Sequence, residues 1–300
     1  MPAPRCSGGD GVTTAALAAL FRSHSRLRGA LAANLETWLA DSGTLARYLS
    51  LIPVPRTGET KLLEIGCYQP TVGYYLELGW RDVIGTFLDA GEGTQIGQYS
   101  GDHGQSVRFL MTDAERERLP VPDGWADAVV MLQVWEHFAL DPMHVLWEIN
   151  RALKPGGRLI LSTPNGACWQ FAQRIARGAA AWGSMEFTGY STNRHNRLYD
   201  ADELQVMFRQ AGFATTTVGS RDFGAVDAHW TARGFRAALG VFDWFGEMVS
   251  GRRRERGGTL FIAGTKAGPP QERFPASLYL TDRDWPGITA ERDRVLRGRE

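Results

Sequence analysis

The chain has 300 residues, with 33 basic and 33 acidic side chains and a formal net charge of zero. That balance argues against a broad basic face for nucleic acid or an anionic membrane, and no apolar run approaches the ~20 residues of a membrane-spanning helix. Cys6, Cys67 and Cys168 are far apart and match neither a disulfide framework nor zinc-ligand spacing, so a reduced, cytoplasmic chain with no bound metal is expected.

MPAPRCSGGDG, at the start, has no apolar core of a signal peptide and reads as a flexible lead-in. Residues 12–51 follow a helical period, with Leu17, Leu20 and Phe21, then Leu31, Leu35, Trp38 and Leu39. PVPRTGE breaks it, so residues 1–58 are taken as lead-in and helical cap. Strands and helices then alternate. KLLEIG is a strand and VGYYLELG a helix, while DVIGTFLD, VRFLMTD and ADAVVMLQ are strands. PMHVLWEINRALKPGG is a helix with a Pro-Gly stop, and RLILSTPN is a strand. These strands are short and nearly all apolar, as strands covered on both faces are. The alternation implies an α/β fold with a doubly wound parallel sheet, whose ligands sit at the carboxyl ends of the strands.

Residues 168–183 form a candidate helix, followed by the polar loop GYSTNRHNRLY. DADELQVMFRQAGF reads as a helix with Asp200 at the N-cap, Glu203 three residues on and Gly212 at its end. FATTTVGSR and TLFIAGTKA are the last strands. Between them, residues 222–257 form an insertion with Trp230, Phe235, Leu239, Phe242, Trp244 and Phe245 at helical spacing. That stripe reads as core or dimer packing, with a lid over a substrate as the other reading. RRRER at 252–256 reads as a solvated loop, and residues 269–300 as a tail following a domain that spans 59–268.

Four stretches in order, LLEIGC, FLMTDAERERLPVPDGWADAVVMLQVWEHF, EINRALKPGGRLILSTPN and HNRLYDADELQVMFRQAGF, resemble class I S-adenosylmethionine (SAM)-dependent methyltransferases of the small-molecule type. The resemblance spans Lys61 to Arg221. It implies a Rossmann-like doubly wound sheet, mostly parallel with an antiparallel last strand, here carrying a helical N-terminal extension and a helical insertion between the last two strands. The implied cofactor is SAM. Gly66 permits a tight turn against a ligand's polar tail, with Glu64, Cys67 and Tyr68 beside it. Asp113 and the Ala114 amide are placed to meet the adenine ring, and Gln133 to lie by the methionine moiety. Two departures stand out. Tyr68 and Pro70 take positions where the family has glycines, and Phe87 stands where it has the acid that holds the ribose. Asp89, two residues on and so on the same face of an extended segment, is the expected substitute, with Glu92 as second choice.

On the acceptor side the resemblance and the loop positions nominate His195 as general base and His137, of the E-H pair, as second candidate. Trp135, Asn196, Arg197, Tyr199 and His229 are nominated for substrate binding. The acceptor expected is a polar small molecule (a sugar, aminosugar or other natural-product intermediate) methylated on oxygen or nitrogen, with a homodimer as an open expectation. Three competing readings are a SAM-binding partner without turnover, a NAD(P)-dependent oxidoreductase, and a nucleic-acid methyltransferase. The oxidoreductase lacks its G-x-G-x-x-G and second-strand acid. The nucleic-acid enzyme lacks N/D-P-P-Y after the fourth strand, where this chain has QVWE.

Overall fold

A computed structural model describes residues 51–67, 72–88, 97–100, 104–179, 195–222, 230–250, 254–271, 274–275 and 277–279. The expected N-terminal helices, Tyr68, Pro70, Asp89, Glu92 and His229 lie outside the described residues.

Eight strands make one sheet: β1 (Lys61–Ile65), β2 (Asp82–Phe87), β3 (Gly97–Ser100), β4 (Ser106–Met111), β5 (Ala126–Leu132), β6 (Leu153–Pro164), β7 (Phe213–Arg221) and β8 (Thr259–Lys266). Their order is β3-β4-β2-β1-β5-β6-β8-β7. β4, β2, β1, β5 and β6 pair in parallel, whereas β8 runs antiparallel to both β6 and β7. The mostly parallel sheet with an antiparallel last strand is therefore present. β3, antiparallel to β4 at the edge, has only four residues and was not expected. Every residue of β5 is buried, as is all of β1 after Lys61. That burial explains their unbroken apolar runs: helices and loops cover both faces.

Among the described residues the helices are α1 (Val72–Glu77), α2 (Pro142–Ala152), α3 (Trp169–Ala176), α4 (Ala201–Gln210) and α5 (Trp230–Ser250). Asp141 caps α2 by accepting the Met143 N–H at 3.0 Å, with Pro142 in the first turn where its missing N–H costs nothing. Val145, Leu146 and Ile149 bury one side of α2 against β5 and β6. α4 starts in a full capping box: Asp200 Oδ1 accepts from Glu203 N at 2.8 Å, and Glu203 Oε2 from Asp200 N at 3.1 Å. The helix expected to run through LKPGG instead stops at Ala152. β6 already pairs with β5 at Leu153, and Lys154 to Gly157 are looped out before pairing resumes at Arg158. Lys154 is anchored there by an ion pair with Asp127, whose other oxygen accepts the N–H groups of Thr60 and Lys61.

Two apolar layers sandwich the sheet, one built around α2 and α4 and the other around Tyr75, Leu76 and Trp80. Chain connections leave β1 toward β2 and β4 on one side, and β5 leads to β6 on the other. The strand order thus reverses between β1 and β5, which opens a crevice at their carboxyl ends. α5 corrects one expectation. Phe242, Trp244 and Phe245 of the stripe are exposed among the described residues, with Val241, Met248 and Val249 beside them, so this part of the stripe is not core of the chain and the dimer reading stays open.

Candidate active site

Five strand ends converge on the crevice, and they carry most of the nominated residues. At the end of β1, Gly66 has φ 66°, a left-handed backbone that only glycine adopts without strain. A Cβ there would fall 2.3 Å from Val134 Cγ2, so the turn after β1 is pressed against the turn after β5. Glu64 is fully buried at this strand end. Beside it the Cys67 thiol is pushed well above its ordinary pKa by burial, then by the charge of Glu64 and a hydrogen bond to it. Cys67 occupies the space over Gly85 of β2, where any Cβ would lie 2.6 Å from its sulfur. The thiol is therefore a packing group, and the Cys67 N–H donates to Thr86 O at 2.8 Å.

At the end of β2, Phe87 is buried and packs on Phe109 at a ring separation of 5.9 Å. The usual ribose acid is replaced by a side chain committed to the core. At the end of β4, Asp113 uses both oxygens within the turn. Oδ1 accepts from Glu115 N at 3.0 Å and Oδ2 from the Arg116 guanidinium at 2.5 Å. Among the described residues no acceptor meets the Ala114 N–H. An amide N–H left open in a turn at a strand end is the donor that a heteroaromatic ring nitrogen requires.

The strongest local signal is Gln133, immediately after β5. Its φ of 58° makes it the single non-glycine residue in the left-handed region among those described. Its N–H donates to Ser162 O at 2.8 Å and its Nε2 to Ser162 Oγ at 3.1 Å. Backbone strain of this kind persists where surrounding structure over-determines it, typically at ligand sites.

One short helical turn, Trp135 to His137, follows. The His137 and His195 rings meet edge to face with centroids 4.8 Å apart. Glu136 is fully buried; its Oε2 accepts from Thr163 Oγ1 at 3.0 Å, and its Oε1 lies 4.0 Å from His137 Nε2. The loop carrying His195 is fastened to this turn. Asn196 N donates to Glu136 O and Asn196 Nδ2 to His137 O, each at 2.7 Å. Tyr199 bridges in parallel to Asn165 at the end of β6.

Four nominated substrate residues make packing, ion-pair or fastening contacts within the chain. Trp135 and Tyr199 are buried and pack together, and Phe138 also packs on Trp135. They are wall, not surface, because aromatic area of that size is held in the core by the hydrophobic effect. Burial pushes the Tyr199 hydroxyl up to about 12, with the nearby Arg197 charge pulling the other way. Arg197 stacks over Tyr199 and pairs with Glu203. Asn196 is the fastener already described.

Sequence reasoning missed Glu115, a buried carboxylate that accepts the N–H groups of Ala139, Leu140 and Asp141 at 2.7 to 3.2 Å. It ties the turn holding Asp113 and Ala114 to the segment that follows His137. An acidic residue inside DAERER carried no signal of that role.

A family model described as a methyltransferase domain matches residues 44–218, more than half of the chain. The chain belongs to this family. It is a SAM-dependent methyltransferase, and the Gly66 turn, the Glu64 carboxylate, the open Ala114 amide and the strained Gln133 form a donor and acceptor set that fits a cofactor bearing an ammonium, a carboxylate and an adenine. Among curated proteins it is similar to a ubiquinone biosynthesis O-methyltransferase of Cereibacter sphaeroides, 27% identical over 60% of this chain and 70% of the relative. A demethylmenaquinone methyltransferase of Tropheryma whipplei is 30% identical over 43% of this chain and 56% of that protein. A SAM-dependent methyltransferase structure from Thermotoga maritima covers 80% of this chain and 98% of its own, at 20% identity and a TM-score of 0.47. No described helix is long and apolar enough to cross a membrane.

Proposed function

We propose that the protein transfers the methyl group of SAM to a hydroxyl oxygen of a small molecule held against His137 and His195. The observation that carries this is the paired imidazoles at the carboxyl end of β5, adjoining the strained Gln133. SAM supplies an activated methyl on a sulfonium; when it is bound, the C–S bond breaks as the new O–C bond forms, leaving S-adenosylhomocysteine and a proton. This chain's residues position the two reactants and remove that proton. Oxygen is favoured over nitrogen because a hydroxyl needs help with its proton where an amine often does not, and because relatives of this chain are named O-methyltransferases. The relative named for ubiquinone biosynthesis O-methylation widens the acceptors considered, beyond the sugars and natural-product intermediates that a polar rim would suit, to ring hydroxyls.

Within the reading, Glu64 and the Gly66 turn take the amino-acid end of SAM, Asp113 and Ala114 its adenine, and Gln133 the region near sulfur. Asn196 and Arg197 hold the His195 loop in place. Calorimetry with SAM, S-adenosylhomocysteine, NADH and NADPH tests the cofactor, with binding expected for the first two alone. Labelled methyl transfer to a panel of catechols, sugars and aminosugars then tests the acceptor. Label appearing only on amines would overturn the hydroxyl reading.

A further inference from the structure

Glu136, His137 and His195 offer one ligand atom each, all within 4.8 Å of one another. We propose that these three side chains form a divalent transition-metal site, of the Zn2+ or Mn2+ type, that binds the acceptor's oxygen. The inference rests on the methyl-transfer reading and sets aside the sequence expectation of no metal. That expectation came from spacing along the chain, whereas this cluster is assembled by the fold.

The geometry is close to what a cation needs. Tetrahedral bonds of about 2.1 Å hold neighbouring ligands about 3.4 Å apart, so the donors must draw in by up to about 1.4 Å. Rotation of the two partly exposed imidazoles supplies that movement. The side chains are also prepared for it. Thr163 Oγ1 donates to Glu136 Oε2 and fixes the carboxylate with Oε1 on the His137 side, as an outer partner of a ligating carboxylate does. Two 2.7 Å hydrogen bonds from Asn196, to Glu136 O and His137 O, lock the His195 loop against the turn that carries the other two ligands.

Ligand chemistry narrows the ion. Two imidazoles and one carboxylate suit Zn2+, Mn2+ or Fe2+ better than the all-oxygen preference of Mg2+ and Ca2+. Three protein ligands leave coordination positions open, the arrangement of reactive rather than structural sites. With both imidazoles ligating, the proton of a hydroxyl entering an open position leaves to solvent instead of to His195, far more readily than in water, so the acceptor becomes nucleophilic near neutral pH. An acceptor with two adjacent oxygens, such as a catechol or a vicinal diol, would occupy two positions and be held in one orientation.

The test uses the full chain, stripped with a chelator, desalted and titrated with Co2+, followed by visible absorption and calorimetry. One Co2+ per chain with ligand-field bands in the visible is expected, displaced by Zn2+. H137A, H195A and E136Q should each weaken Co2+ binding about 10-fold or more, since even outer-sphere changes commonly cost that much. SAM calorimetry on the same variants checks that they fold and keep the cofactor site. No Co2+ bound by the wild type, or unchanged binding in both histidine variants, overturns the proposal. Co2+ bound as expected by a chain that binds no SAM would leave the metal site standing and overturn the methyl-transfer reading instead.

Discussion

Asn196 donates its backbone N–H to the carbonyl of Glu136 at 2.7 Å and its side-chain amide to the carbonyl of His137 at the same distance. Two segments far apart in sequence are thereby held as one unit, and the His137–His195 ring contact depends on it. Asn196→Ala keeps the backbone bond and removes the side-chain one. It should cost about 1 kcal/mol of stability, leave SAM affinity near wild type, and lower turnover by about 10-fold or more through misplacement of His195. Denaturant unfolding, calorimetry and steady-state kinetics separate the three effects. Turnover at the wild-type level would show that the His195 position does not matter to catalysis.

A second prediction separates stability from binding at Gln133. Its left-handed backbone costs a side-chain-bearing residue roughly 1 to 2 kcal/mol, and its bond to Ser162 Oγ returns about 1 kcal/mol. Gln133→Gly relieves the first and forfeits the second, so unfolding free energy should stay within about 1 kcal/mol of wild type. SAM affinity should nonetheless fall by about 1 kcal/mol or more, because the side chain proposed to lie near the cofactor's sulfur is gone. Should calorimetry show full affinity, Gln133 only finishes its strand.

What could be read from the sequence, and what could not, follows from how local each feature is. The capping box of Asp200 and Glu203 lies within four residues, and it was legible as written. So were the strands β1, β2, β5 and most of β6, because burial on both faces forces a continuous apolar run. LKPGG misled because Pro-Gly usually ends a helix, yet here the chain enters the sheet first and loops out inside the strand. Trp135, Asn196 and Tyr199 were nominated for the substrate, and their contacts with one another's segments were not legible. Whether an aromatic lines a pocket or fills a wall depends on neighbours contributed by distant segments, here Tyr199 of the 195–199 loop against Trp135. The meeting of Glu136, His137 and His195 was illegible for the same reason, and so was Glu115.

Alkaline pH offers a third prediction. Burial raises Tyr199 from its ordinary 10 to about 12, and it raises Tyr279, which donates to Asp141 Oδ1, in the same direction. A raised folded-state pKa means that the folded chain holds the proton more tightly than the unfolded chain. The stabilisation is complete below about pH 10 and is lost as pH climbs through about 12. Tyr199 alone accounts for roughly 2 to 3 kcal/mol of that loss. Urea unfolding across this range should show a steep fall that is shallower in Tyr199→Phe. An equal slope in the two proteins would mean that Tyr199 ionises as it does in the unfolded chain.

The last prediction concerns the contact between the turns after β1 and β5. Gly66→Ala meets two obstacles, a φ of 66° and a Cβ placed 2.3 Å from Val134 Cγ2. Together these should cost about 2 to 4 kcal/mol, combining left-handed strain with overpacking. Val134→Ala alone leaves a small gap and should cost about 1 kcal/mol. In the double variant the clash disappears while the φ penalty remains, so its cost should fall below the sum of the singles by about 1 to 2 kcal/mol, as expected for residues in contact. SAM affinity should follow a different rule. The Gly66 turn is the proposed cradle of the cofactor's amino-acid end, and its strain persists in the double variant. Binding should therefore stay weak even where stability recovers. Strict additivity in unfolding would sink the contact between the two turns, and recovery of SAM binding along with stability would show that Gly66 serves packing alone.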